Sequence, residues 1–288
     1  MQSDPTEEQL KKILQGIAIP PQPQIMVDLH MEQAMPDPDM KTMTNAIMQD
    51  IGLSAAVLKL VNSAYFNIPN KINTIHQAIT MLGVDNIIHI TNALTVKSEL
   101  SDAAITSLQG FWDNSMDVAA VCSSISTQLN FDHAEECYAL GLFRNAGIPL
   151  MMKRFPTYVG ILEQGYNDPD FQLTDLENKH FKTNYSVVGY YLAKSWGVSK
   201  ESCEVISNQH RAKEMFENDI ANNERTLKLM AILKISEYIC STYKQIGHAA
   251  QDYEWAKIGR SVLEHLEITT YDLEGMIEVC REQGVIPS

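Results

Sequence analysis

The stretch Glu136–Phe155 is apolar over most of its length, and Arg144 and Asn145 form the main interruption. A helix without a polar face has to be covered on every side, so this stretch predicts a central helix. Gly147 and Pro149 predict a break or kink just after the polar pair. A polar pair buried there costs free energy unless it is partnered, so it marks a functional site or the remains of one.

Apolar residues recur at helical spacing through the rest of the chain, which predicts an all-α fold. Gly52 is expected to end one helix, and Leu53–Ser54 to cap the next. Thr174 and Glu177 have the spacing of a capping box. The polar stretch Arg211–Glu224 lacks periodicity and predicts a loop. The helices expected after this loop are Arg225–Gln245, Tyr253–Leu266 and Thr269–Gln283.

Composition narrows the functional classes. The chain has 288 residues and a net charge of −14, which argues against binding to a nucleic-acid backbone because phosphates require a basic face. The five cysteines form no CxxC pair, so we expect reduced, buried thiols. No stretch approaches the ~20 apolar residues of a membrane span, and the N-terminus lacks the pattern of a signal peptide. We therefore expect a cytoplasmic protein that contacts neither nucleic acid nor membrane.

The most specific pattern lies between residues 47 and 66. Asp50 precedes Leu53–Ala55, and the segment ends in the run Asn62-Ser63-Ala64-Tyr65-Phe66. This arrangement closely resembles the N-terminal half of an HDOD domain, the HD-related output domain of bacterial signalling proteins. The run Ile72–Gly83 matches the next mark of that family. The resemblance covers about residues 19–210, and it implies a multi-helical HDOD-like fold.

The segment around Arg144 and Asn145 resembles the metal-binding helix of HD phosphohydrolases, where a His-Asp pair stands at these positions. In those enzymes the pair binds divalent metals, which activate water against a phosphate ester. Arginine has no acceptor atom and stays protonated, and asparagine offers only a neutral oxygen. The resemblance therefore implies that the metal dyad has been replaced. No catalytic residue, metal or cofactor is expected.

The resemblance also implies a set of inherited site positions. One histidine with neutral amides falls short of the three protein ligands of usual catalytic zinc sites. We favour an internally hydrogen-bonded, vestigial cluster over a metal site. A third interpretation is an anion site, in which Arg144, Asn114 and His210 hold a phosphate or carboxylate. The inherited positions are Asn114, Arg144, Asn145, Tyr185, Gln209 and His210.

Two further features of the N-terminal part allow a binding interpretation. The candidate interaction or structural motif consists of Asp50, Asn62, Ser63, Tyr65 and Phe66. We favour a structural role for Asn62 and Ser63, because polar residues at a helix end usually bond backbone groups. Six methionines form either a pliable docking face or, as we favour, core packing. They are Met26, Met31, Met35, Met40, Met43 and Met48.

The resemblance implies a non-catalytic signal-transduction module that acts through protein partners and, in one interpretation, a small anionic ligand. The alternatives are a metal-dependent phosphohydrolase of nucleotides or cyclic dinucleotides, and a nucleotide second-messenger sensor without hydrolysis. We expect an N-terminal helical bundle, residues 1–108. It packs on a degenerate HD-like helical domain with a C-terminal extension, residues 109–288.

Overall fold

A computed structural model describes residues 5–62, 71–100, 108–131, 133–168, 172–217 and 223–286. Within these ranges the regular secondary structure consists of helices and contains no strand, so the all-α prediction is confirmed. The helices are α1 (Glu7–Ile13), α2 (Gln24–Gln33), α3 (Met40–Met48), α4 (Ile51–Val61), α5 (Ile75–Leu82), α6 (Val84–Leu100), α7 (Leu108–Gln128), α8 (Ala134–Phe143), α9 (Gly147–Arg154), α10 (Tyr158–Asn167), α11 (Leu173–Phe181), α12 (Tyr185–Ser195), α13 (Lys200–Asn208), α14 (Ala212–Glu217), α15 (Glu224–Ile239), α16 (Thr242–Gln245), α17 (Tyr253–His265) and α18 (Thr270–Glu282). In these ranges no helix is long and apolar enough to cross a membrane.

Helix α8 lies at the centre of the fold. It packs against α6, α7, α13 and α15, and its residues from Glu136 to Phe143 are all buried. Gly141 permits a close contact with α7, because an added Cβ would lie 2.6 Å from the Cα of Ala119. The absence of a polar face on this stretch is thus explained by the helices that cover it on several sides.

The predicted central helix is two helices. Helix α8 ends at Phe143 and α9 begins at Gly147, so the break falls at the polar pair and not after it. Across the break, Ala146 N–H donates to the Phe143 carbonyl and Ile148 N–H to the Asn145 carbonyl, which tightens the turn. Pro149 does not break the chain, because it lies in the first turn of α9, where no donor is needed.

Two predicted helix starts are wrong. Asp50, and not Leu53–Ser54, caps α4, because its carboxylate accepts the Leu53 N–H at 2.9 Å and Gly52 falls inside the first turn. Helix α11 begins at Leu173 without a side-chain cap, so Thr174 and Glu177 form no capping box. The carboxylate of Glu177 is instead used in the core, where two donors from other helices reach it.

The C-terminal part also differs from its prediction. Within the predicted loop Arg211–Glu224, helix α14 forms because its Met215 and Ala212 are buried and it packs on α17; residues 218–222 lie outside the described ranges. The predicted helix Arg225–Gln245 divides into α15 and α16 because Ser241 adopts a left-handed backbone conformation, φ 50°.

Helix α6 connects the N-terminal helices to the rest of the fold. It contacts α2, α4 and α5 as well as the central α8. The proposed division between residues 108 and 109 falls at the start of α7, and it stays a prediction.

Candidate functional site

Arg144 is fully buried at the end of α8, and each of its three guanidinium nitrogens donates a hydrogen bond. Nε donates to Glu237 Oε1 on α15 at 2.9 Å, and Nη1 donates to the Gly141 carbonyl at 2.6 Å. Nη2 donates to Asn114 Oδ1 on α7 at 3.1 Å. The guanidinium therefore ties α7, α8 and α15 together at the centre of the molecule.

A second buried cation, Lys234, pairs with the same carboxylate as Arg144. Lys234, also on α15, has an almost completely buried side chain whose Nζ lies 3.0 Å from Glu237 Oε2 and 2.9 Å from Glu254 Oε1 on α17. Burial raises the pKa of Glu237, but Lys234 and Arg144 together outweigh it and hold that pKa below its usual range. Burial lowers the pKa of Lys234, but Glu237 and Glu254 raise it above its ordinary value. Burial raises the pKa of Glu254, so the charges that the network holds firmly are those of Arg144, Glu237 and Lys234, which are paired with one another.

Two tyrosines form a neighbouring group. The hydroxyl of Tyr185 on α12 hydrogen-bonds His210 Nε2. Burial, with the nearby positive charge of Lys234, lowers the pKa of His210 to about 3, so its imidazole is neutral. The Tyr158 hydroxyl donates to Glu177 Oε1, and the Tyr185 N–H donates to Glu177 Oε2 at 3.1 Å. Burial outweighs these two donors and raises the pKa of Glu177 to about 8.

The structure divides the six inherited positions into three sets. Asn114, Arg144 and Gln209 are joined, because Gln209 Nε2 donates to the Arg144 carbonyl at 2.8 Å. Tyr185 and His210 form their own pair. Asn145 belongs to neither set. It is fully buried, and among the described residues neither the oxygen nor the nitrogen of its side-chain amide has a hydrogen-bond partner.

Sequence reasoning missed Lys234, Glu237 and Glu254. The signal for the first was a lysine inside the apolar run from Leu229 to Ile235, a position where a charge has to be paired. Its partners lie on α15 itself and on α17, which helical periodicity alone cannot bring together.

A cavity of about 150 Å³ lies beside the charged network. Tyr185, His210, Lys234 and Glu237 contribute to its wall. Arg144 does not line this cavity, since its side chain is 0% exposed. The wall of this cavity therefore contains His210 and Lys234 but not the guanidinium, and Glu237, Asp252 and Glu254 also line it.

These residues do not fit a divalent metal. The guanidinium of Arg144 carries only donors and a positive charge, and the neutral amide of Asn145 supplies one weak oxygen ligand. In the part of the chain that the structure describes, no three His, Cys, Asp or Glu side chains are grouped as metal ligands. The chemistry that the site does support is hydrogen bonding and charge pairing within the fold.

The N-terminal motif is described only in part. Asp50 caps α4, and Asn62 bonds the backbone: its Nδ2 donates to the carbonyls of Leu58 and Ile72, and its Oδ1 accepts the Ile72 N–H, each at 2.7 Å. These bonds support a structural role for Asn62, because they tie the end of α4 to the backbone of Ile72 ahead of α5. Ser63, Tyr65 and Phe66 lie outside the described residues.

Solved structures share this fold. A candidate phosphohydrolase from Shewanella amazonensis SB2B superposes with a TM-score of 0.69 at 21% identity, covering 95% of this chain and 96% of its own. An HDOD domain protein of unknown function from Geobacter sulfurreducens gives a TM-score of 0.67 at 19% identity, covering 96% of this chain and 93% of its own. At these identities the likeness establishes the fold alone.

Sequence comparison identifies the family. The cyclic di-GMP phosphodiesterase CdgJ of Vibrio cholerae is 28% identical over 133 residues, which are 46% of this chain and 30% of that protein. The matched stretch is therefore less than a third of the relative's length. The family model of the HDOD domain matches residues 19–212. Since this match spans well over half of the sequence, and the solved relatives share the fold, the chain belongs to the HDOD domain family.

Proposed function

We propose that this HDOD chain is a non-catalytic signal-transduction module that acts by binding protein partners. The observation that carries the proposal is the placement of Arg144, whose buried guanidinium holds Glu237, Asn114 and the Gly141 carbonyl. In the HD phosphohydrolases that the segment resembles, a metal ligand stands at this position. Here a fixed positive charge takes its place, pairs with the carboxylate of Glu237 and donates to the side-chain oxygen of Asn114.

The energetics oppose a metal at this position. A divalent cation near Arg144 would be repelled by its charge, and repulsion between buried charges is weakly screened. Freeing Glu237 as a ligand would break its bond to Arg144, and separating one partner of a buried ion pair costs about 3–5 kcal/mol. Protein binding requires neither a metal near Arg144 nor the release of Glu237. The hydrogen-bonded core provides a stable scaffold for it.

The rival candidates are a phosphohydrolase and a nucleotide sensor, and the name of the V. cholerae relative is the observation that keeps them in view. The size of the cavity at the network counts against either activity at this site. Its volume of about 150 Å³ is well below the ~300–1,000 Å³ of typical small-molecule sites, so a cyclic dinucleotide does not fit inside it.

The proposal is tested by incubating the protein with cyclic di-GMP and Mn²⁺, Zn²⁺ or, without oxygen, Fe²⁺. Chromatography then measures linear dinucleotide or mononucleotide product, and a thermal shift measures binding. The expected result is no product above a protein-free control and no shift with the nucleotide. Metal-dependent product that chelation abolishes contradicts the proposal and favours the hydrolase. A nucleotide shift without product favours the sensor.

A further inference from the structure

The methionines of α2, of α3 and of the turn between them are divided between the core and the surface. Met26 and Met43 are buried, at 0% and 2% exposure. The others are largely exposed, which core packing does not explain: Met31 63%, Met35 54%, Met40 39% and Met48 57%. Exposed apolar side chains that cluster on one part of a surface indicate an interaction site.

Two of these methionines line a groove of about 370 Å³ between α2 and α3. Asp28 and Met31 lie one turn apart on α2, and Met35 follows just beyond the end of that helix. Asn45 and Gln49 form the opposite wall on α3. The groove shares Asp28 and Gln49 with a larger cavity of about 890 Å³ that continues towards α4 and α6. The larger cavity also has Lys59 and Lys97 in its wall, so we keep the name α2–α3 groove for the methionine-lined one.

The charge of the α2–α3 groove is one-sided. Both charged residues that line this groove, Asp28 and Glu32, are acidic. Between residues 24 and 50 the chain carries one lysine, Lys41, against five acids, which are Asp28, Glu32, Asp37, Asp39 and Asp50. This field repels nucleic acid, anionic lipid and a second copy of the same acidic face. It attracts a cationic partner.

We propose that the α2–α3 groove binds a basic amphipathic helix of a protein partner. Unbranched methionine side chains adapt to the apolar face of such a helix. Lysines or arginines that flank this face meet Asp28 and Glu32. The inference rests on the proposed function, since it names the chemistry of the partner that the binding module receives.

A synthetic peptide of about 18 residues, five helical turns with leucine on one face and lysine on the other, is the probe. The protein is labelled with ¹³C at its methionine methyl groups, and the peptide is titrated in. The methyl signals of Met31 and Met35 are expected to shift. The signal of Met81, which is 52% exposed on α5 and outside the groove, is expected to stay.

Variants test which side chains hold the peptide. Met31→Gln with Met35→Gln keeps side-chain length and is expected to weaken the Kd at least about tenfold, because it removes the central apolar anchors. Met81→Gln is the matched control, with less than about a twofold change. Asp28→Asn with Glu32→Gln is expected to weaken binding several-fold and to reduce its salt dependence.

Results of three kinds overturn the inference. One is a peptide Kd that the double methionine variant leaves unchanged, or a peptide that does not bind. Another is equal affinity for a leucine–glutamate peptide, which removes the charge argument. The third is a concentration-dependent dimer that Met31→Gln with Met35→Gln dissociates, which makes a second copy the occupant. Each differs from metal-dependent hydrolysis, the result that contradicts the proposed function itself.

Discussion

Replacing Arg144 with methionine tests the role of the buried guanidinium. Methionine fills most of the same volume without charge or donors. Glu237, whose side chain is 13% exposed, then keeps Lys234 but loses Arg144. The acceptors on Gly141 and Asn114 lose a donor each.

The expected cost follows from these losses. Removing one partner of a buried ion pair costs about 3–5 kcal/mol, and each buried acceptor left without its donor adds about 1 kcal/mol. The remaining Lys234 offsets part of the charge term. We therefore expect Arg144→Met to lower the free energy of unfolding by about 3–5 kcal/mol, a large share of the ~5–15 kcal/mol of a typical domain.

Urea unfolding followed by circular dichroism measures this change. Arg260→Met is the matched control, because Arg260 is 89% exposed and pairs with Glu264 at the surface; no measurable change is expected. Glu237→Gln and the double variant complete a cycle, in which the double variant is expected to lose at least about 2 kcal/mol less than the two single losses combined. An Arg144→Met protein within about 1 kcal/mol of the parent refutes the reasoning, as does strict additivity.

Three further predictions use the same unfolding assay. Asn145→Leu removes two unpaired buried polar atoms and is expected to stabilise the fold by about 1–2 kcal/mol; a loss of that size would show that the amide has a partner in solution. Glu177 keeps its proton in the fold up to its pKa of about 8, whereas the unfolded chain releases it near 4.5. As the pH rises from 4.5 to 8, the free energy of unfolding of the parent is therefore expected to fall by up to about 1.4 kcal/mol per pH unit. Glu177→Gln is expected to remove that decline, and an unchanged pH profile contradicts the assignment. Gly147→Ala is expected to cost at least about 2 kcal/mol, because its Cβ would lie 2.1 Å from the Tyr185 carbonyl. Its control Gly160→Ala has open space and is expected to gain up to about 1 kcal/mol; equal effects of the two would contradict the close packing of α9 on α12.

Much of the fold could be predicted from periodicity and end signals. The apolar pattern of Glu136–Phe155 identified the central element, and the expected helices Tyr253–Leu266 and Thr269–Gln283 form as α17 and α18. The position of the central break could not be predicted, because it depends on bonds across the turn and on the first-turn place of Pro149.

The site could be predicted only where one segment carries the information. Arg144 and Asn145 stand out as polar residues in an apolar run, but the sequence does not show that only the first finds hydrogen-bond partners for its side chain. Arg144 is satisfied by Glu237, which lies 93 positions away along the chain, whereas Asn145 has no such partner among the described residues. Tertiary packing decides which helix faces bring partners together, and periodicity shows only that these faces are buried.

The metal content of the protein tests the central claim most directly. The protein is purified without chelator or nickel affinity resin, and iron, manganese and zinc are measured per chain by mass spectrometry. Because Arg144 occupies the centre of the site with its charge paired, the account predicts less than about a tenth of an equivalent of any of these metals. About one equivalent or more, lost on replacing His210, would contradict the account and restore the hydrolase.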